Sequence, residues 1–263
     1  MKKLALALVA ATAAFVGQAT AADMPMKAAR PVAAPIQVAN WTGCYIGGGG
    51  GYGMWNQEHT EYLLTGVADS LTATSGGRGW FGTVQGGCDY QFGGPGGQWL
   101  IGGFADYDFA DIHGTRNASI GTFPYRGDEK LDEAWSVGGR IGWLPSPNFL
   151  TFFSGGYTQA HFNSYNLALN IAPGFPPAFT VPGRWRDGWF VGGGYEYQLS
   201  FLPGLTWKTE YRFADYDTER DTVYLFNTNT PSRFTDTHKY VQTIRSTLQW
   251  RFNFGGPAVV AKY

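Results

Sequence analysis

Residues 239–254, KYVQTIRSTLQWRFNF, carry the pattern that decides the fold. The even positions, Tyr240, Gln242, Ile244, Ser246, Leu248, Trp250, Phe252 and Phe254, form a face that turns aromatic toward its C-terminal end. The odd positions, Lys239, Val241, Thr243, Arg245, Thr247, Gln249, Arg251 and Asn253, form a polar face with three cations. Side chains alternate across a strand, so a period of two predicts one strand with two unlike surfaces. At about 16 residues it is far longer than the usual strand of about 5–6. That length is the first sign of a membrane wall.

The two ends of the chain frame this segment. The chain opens MKKLALALVAATAAFVGQATAADMP, with Lys2 and Lys3 ahead of an uncharged apolar run from Leu4 to Val16 and small residues at Ala19 and Ala21. This order predicts a secretory signal peptide, 1–21, cut after Ala21 or Ala22, and hence export. Residues 22–40 hold Pro25, Pro31 and Pro35 among alanines with no period, and read as a Pro/Ala-rich periplasmic lead-in to a barrel domain over 41–263.

Composition points the same way. Loss of Lys2 and Lys3 moves the formal charge from −1 to −3, which leaves no basic surplus for nucleic acid. Glycine makes up 38 of 263 residues and aromatics 17 %, while charged residues are only 15 %. Glycine weakens helices and rings suit pleated surfaces, so this balance favours strands. The segment 141–183 lacks Asp, Glu, Lys and Arg, yet Pro145, Pro147, Pro173, Pro176, Pro177 and Pro182 break it as a spanning helix. A chain that spans a bilayer without helices must do so as a closed sheet.

Dyad-patterned segments recur at 41–56, 79–92, 98–112, 131–144, 149–163, 187–200, 205–218 and 237–254. Gly- and Pro-rich turns at 93–97, 145–148 and 201–204 alternate with connections of about 20 residues at 57–78, 113–130, 164–186 and 219–236. Short and long connections alternating in this way predict an all-β fold: an eight-stranded antiparallel transmembrane β-barrel with short periplasmic turns and long outer loops. Trp80, Val84 and Tyr90 oppose Thr83, Gln85, Asp89 and Gln91; Trp135, Val137 and Ile141 oppose Asp132, Ser136 and Arg140. Only 149–163, with Phe on both parities, is ambiguous. The same alternation would serve a secreted sandwich or a lipocalin-like barrel with its apolar face inside; strand length, the leader and rings near segment ends favour the membrane form.

WTGCYIGGGGGYG at 41–53, GWFVGGGYEY at 188–197, LTWKTEYRFADY at 205–216 and RSTLQWRFNFGGP at 245–257 carry a family likeness. In these motifs the chain resembles the alphaproteobacterial outer-membrane β-barrel family of small surface proteins, close to the porin-family immunogenic outer-membrane proteins. The resemblance implies residence in the outer membrane, contact with its lipid, and roles in envelope integrity, host contact or, in some relatives, haem binding. The barrel assembly machinery of such proteins recognises a C-terminal aromatic residue, here Phe254 or Tyr263.

The candidate residues follow from the faces. If the polar faces point inward, Asp106, Asp108, Arg140, Glu196, Lys208, Glu210, Arg212, Arg245 and Arg251 share a narrow lumen, either as a paired plug or as the lining of a narrow porin. Cys44 and Cys88 straddle the centre of the 57–78 connection, so an antiparallel pair sets them nearly opposite, and the oxidising compartment favours a cross-strand disulfide near the periplasmic rim. His59, His113, His161 and His238 lie in or beside the outer connections, as surface residues or as haem or metal ligands beside a Tyr. His161 and Ser164 fall on opposite parities with no evident orienting carboxylate, so no enzyme is expected. GGGGG at 47–51 lacks the ending of a phosphate loop. No cofactor is implied, and the Pro-rich 164–186 segment, with Leu167, Leu169, Ile171, Phe175 and Phe179, reads as a contact surface for a host ligand or as a cap on the barrel mouth.

Overall fold

The computed structural model describes residues 40–252; the predicted signal peptide and nearly all of the lead-in, and both candidate terminal aromatics, lie outside the described residues. Among the described residues ten strands form: β1 (Gly43–Leu63), β2 (Ala73–Gly94), β3 (Gly97–Ile120), β4 (Phe123–Ser146), β5 (Phe149–Phe162), β6 (Tyr165–Leu169), β7 (Pro177–Val181), β8 (Arg184–Gln198), β9 (Leu205–Leu225) and β10 (Pro231–Phe252). Every pairing is antiparallel, in the order β10-β1-β2-β3-β4-β5-β8-β9, and the β9–β10 pairing closes the ring. β10, which contains the dyad-patterned 239–252, is the closing stave: Trp250 pairs with Ile46 of β1 and with Leu205 of β9.

The short connections are tight, as the Gly and Pro clusters predict; Gly96 and Gly97 take φ of 74° and 135°, which suits glycine. The other end departs from the sequence reading. The connections there are long in sequence, yet most of their residues continue the strands. β3 and β4 each run 24 residues and leave only 121–122 as a turn. Residues 164–186 contain the β6–β7 hairpin, whose β6 joins β4 and whose β7 joins β9. There the hairpin takes the places that β5 and β8 hold lower down.

Burial settles which face points where. Ile46, Trp80 and Phe153 are 61 %, 70 % and 76 % exposed, while Glu196, Glu210 and Lys208 are 0–1 % exposed. A water-soluble barrel would show the reverse, so the exterior is a surface for lipid. Aromatic side chains ring this belt on both sides. Toward the long-connection end stand Tyr52–Trp80, Tyr107–Phe109, Trp135–Tyr157, Trp189–Phe213 and Tyr240, with centroids 4.9–6.1 Å apart within the pairs. Toward the short turns stand Tyr90–Phe92, Phe149–Tyr195 and Trp207. Amphipathic rings favour both membrane–water boundaries. The ambiguous β5 resolves with Phe152 buried inside and Phe153 outside.

Cys44 pairs with Cys88 in register and the two form a disulfide. The bond crosses β1 and β2 near the short-turn rim, on the outward parity expected from the sequence.

Inward-facing glycines let large rings lie across the lumen. A Cβ at Gly138 would stand 2.9 Å from Cζ of Phe190, and one at Gly51 would stand 2.3 Å from the Ile244 carbonyl and 2.5 Å from Cζ of Phe81. Gly51→Val is therefore expected to lower barrel stability by about 1–3 kcal/mol through overpacking, whereas Gly82→Val, whose Cβ would meet only a carbonyl oxygen at 3.9 Å, is tolerated. The folded fraction on unheated gels across a urea series measures both.

Candidate functional site

The inward residues of β3, read from the short-turn end, are Leu100, Phe104, Asp106, Asp108, Ala110, Ile112, Arg116, Ala118 and Ile120. Apolar and ionic side chains thus succeed one another along the barrel axis, and the neighbouring strands repeat the layering. Trp41, Leu100, Leu144, Leu150 and Phe152 close the short-turn mouth. Trp41 is fixed across it by its indole N–H, which donates to the Pro147 carbonyl at 2.9 Å.

The first ionic layer follows. Arg140 binds both Asp89 and Glu196, the latter at 2.9 Å. Arg251 binds the same two carboxylates at 2.7 and 3.0 Å and donates to the Trp41 carbonyl at 2.7 Å. Next along the axis, Arg212 reaches Asp106 at 2.7 Å and Glu210 at 3.1 Å, and Lys208 reaches Glu210 at 3.0 Å. Arg245 reaches Asp106 at 3.1 Å and Asp108 at 2.9 Å. All nine lumen residues named from the sequence are brought together here, joined by Asp89. The acids Asp89, Asp106, Asp108, Glu196 and Glu210 equal in number the bases Arg140, Lys208, Arg212, Arg245 and Arg251, so the layer is neutral. Rings serve as further partners: Arg212 lies 4.5 Å from the Phe190 centroid and Arg140 4.8 Å from that of Tyr45.

Above it an apolar layer, including Trp55, Phe81, Ile112, Leu131, Phe162, Phe190 and Val241, spans the lumen. The cavity between this layer and the ions measures about 30 Å³, room for about one water molecule. A second ionic layer lies beyond the long-connection-side aromatic ring. Arg116 binds Glu61 at 2.8 Å and Thr235 at 2.6 Å, Lys239 binds Glu129 at 2.7 Å and also Gln57, and Arg186 binds Asp221. Ala118, Ile120, Tyr165, Leu167, Phe179, Val181 and Val223 close the top. In this way part of the 164–186 segment does cap the lumen, while Ile171 and Phe175 remain exposed at its tip.

Sequence reasoning missed Asp89 as a member of the network, although its parity was read as polar, and missed the whole second layer. The signal was present in Gln57, His59 and Glu61, which keep the inward odd parity of β1 past residue 56. His59 is the clearest correction. Expected at the surface, it is 2 % exposed because β1 runs on to Leu63, and its Nε2–H donates to the Asn117 carbonyl at 2.8 Å. Burial, aided by the Arg116 charge, pushes its pKa down to about 3. The other three histidines do face outward, each against an aspartate: His113–Asp111, His161–Asp132 and His238–Asp215 at 2.6–2.7 Å. His161 thus has the carboxylate partner that the sequence did not reveal.

Two consequences can be measured. Glu196→Gln leaves Arg140 and Arg251 short of one buried anion and is expected to cost about 3–5 kcal/mol, seen as a lower urea midpoint of the refolded barrel. His59 has a folded pKa below its unfolded value of about 6.5, so its contribution is whole above that pH and is lost as pH falls toward 3, because only the unfolded chain takes up the proton. Between pH 7.5 and pH 5 the wild type should lose about 2 kcal/mol more than His59→Gln in the same urea titration.

No family model matches the chain. Two curated relatives align with it, the 31 kDa outer-membrane immunogenic proteins of Brucella melitensis and Brucella suis, each 26 % identical over 262 residues that cover 96 % of this chain and all of theirs. Among solved structures, the outer membrane protein OprG from Pseudomonas aeruginosa superposes with a TM-score of 0.52 over 81 % of this chain and 99 % of its own, at 12 % identity, which speaks to the fold alone. Full-length homology, a closed ring of strands and an apolar exterior between two aromatic rings together identify this chain as an outer-membrane β-barrel protein, a distant homologue of the Brucella outer-membrane proteins.

Proposed function

We propose that this barrel is a non-enzymatic and non-conducting structural protein of the outer membrane that supports the envelope and presents a rigid surface for contact outside the cell. The observation that carries this reading is the filled lumen. Two neutral ionic layers and three apolar ones succeed one another along its axis, and a cavity beside the first ionic layer measures only about 30 Å³. Ion flow needs a continuous water path, and long side chains ion-paired across the lumen offer none. Catalysis needs a reactive group within reach of a substrate, whereas these charges are turned toward one another.

The surface-contact part of the proposal rests on the tips beyond the second ionic layer. Leu64, Val67 and Leu71 on the β1–β2 connection and Ile171 and Phe175 on the β6–β7 connection are exposed apolar side chains set on strands that project past the aromatic ring. Exposed apolar surface of this kind favours contact with another macromolecule. Haem or host-ligand capture would have to use these tips or the outward histidines, since His59 is enclosed.

The test is electrical. In planar bilayers the wild-type protein should give no stepwise currents, and neither should a Phe81→Ala/Phe162→Ala/Phe190→Ala variant, because the ionic layers and the apolar closures at both ends still block the lumen. Stepwise currents from the wild type would reject the sealed-barrel reading.

A further inference from the structure

Just beyond the aromatic ring, on the outside of the barrel, β4 departs from regular pairing. Leu131 faces Phe162 and Glu133 faces His161 on β5, so three residues of β4 stand against two. Such a bulge re-aims side chains. Asp132 and Glu133, although consecutive, are both half-buried and both reach His161's side of the wall. Asp132 Oδ1 lies 2.7 Å from His161 Nδ1, and one donor atom from each of Asp132, Glu133 and His161 lies within 4.8 Å of the other two. The cluster is held from two sides: the Tyr107 hydroxyl donates to Glu133, and the Trp185 ring packs 5.3 Å from the imidazole.

We propose that Asp132, Glu133 and His161 form a binding site for a first-row divalent cation of the Zn²⁺ or Mn²⁺ type. Imidazole with two carboxylates is a donor set suited to these ions, whereas Ca²⁺ and Mg²⁺ take all-oxygen shells with more ligands. Three donors from the chain leave further coordination positions to water. A cation here replaces the hydrogen shared between Asp132 and His161 and offsets the repulsion of two adjacent carboxylates.

The other outward Asp–His pairs explain why this one differs. Asp111 already holds Lys130 at 2.7 Å as well as His113, so a positive charge occupies the third place. The remaining nitrogen of His238 is taken by the Tyr240 hydroxyl at 3.0 Å. Among the described residues, the Asp132, Glu133 and His161 group is the one that brings three such donors together.

The experiment uses the full chain refolded in detergent, with folding of every variant verified by its unheated gel mobility. Calorimetric titration with Zn²⁺, and Mn²⁺ binding followed by electron paramagnetic resonance, should each show one saturable equivalent in the wild type. Asp132→Asn and His161→Gln should each weaken binding by at least about tenfold, whereas His113→Gln/His238→Gln should leave it unchanged. Absence of saturable binding by the wild type overturns the proposal. So does binding that survives both Asp132→Asn and His161→Gln, or that is lost in the His113→Gln/His238→Gln control.

Discussion

An ionised side chain in an enclosed lumen is tolerable only when an opposite charge meets it there, because little water remains to solvate it. Five acids and five bases satisfy that condition at the level of the lipid belt, and most of them have more than one partner. Glu196 accepts from Arg140, Arg251 and Thr206; Glu210 is met by Lys208, Arg212 and Ser154. Each strand therefore depends on partners several staves away, and the network ties β2, β3, β4, β8, β9 and β10 across the lumen rather than only along their shared edges. Replacing such ions by well-packed apolar groups is often neutral or stabilising, so the network is better understood as fixing the arrangement than as adding to its stability. Alternation alone leaves a strand free to slip by two residues without exchanging its faces. A slip of two would carry Arg245 away from Asp106 and Asp108 and leave buried charges unmatched.

Shape makes the charge matching possible. Eight strands enclose a space that side chains can just fill, and the wall gives way where the filling is large. Phe190 occupies the room left by Gly138 and Gly156, and Phe81 that left by Gly51. The glycine run at 47–51 has this role on its inward positions, where Gly47, Gly49 and Gly51 would each bring a Cβ within 2.1–2.5 Å of the backbone of β10. β1 and β10 are the seam at which the ring closes, and small residues allow them to lie close there. The Cys44–Cys88 bond lies on the other edge of β1, linking it covalently to β2 where β1 begins.

Much of this was legible because lipid makes the two faces of a strand differ sharply. From Tyr240 to Phe252, mostly apolar outward residues alternate with Val241, Thr243, Arg245, Thr247, Gln249 and Arg251, and the contrast reveals strand, face and lumen charges together. The cysteine pairing followed from the same parity and from hairpin geometry. Beyond the aromatic ring the exterior meets water, and the contrast disappears while the strand does not. In β1 the inward Gln57, His59 and Glu61 alternate with the outward Glu58, Thr60 and Tyr62; polar residues on both faces look like a loop. The second ionic layer was hidden for that reason, and Asp132, read on the inward polar face with Ser136 and Arg140, is instead turned outward by a bulge that no period of two can express.

The interior does not register the membrane boundary at all. Ionic and apolar layers succeed one another through the lipid belt and on past it, from Asp89 and Arg140 to Arg116 and Glu61; only the exterior changes, from Ile244 and Leu248 in lipid to Asp236 and Arg220 in water. The molecule is in effect one filled barrel passing through two solvents, with its inside chosen for packing and its outside for whatever surrounds it. Strands that continue by a dozen residues beyond the lipid are held by the same cross-lumen pairs as those within it. The exposed tips are consequently carried on a filled, hydrogen-bonded support, and a partner that docks on them encounters a surface whose ordering cost has largely been met in folding.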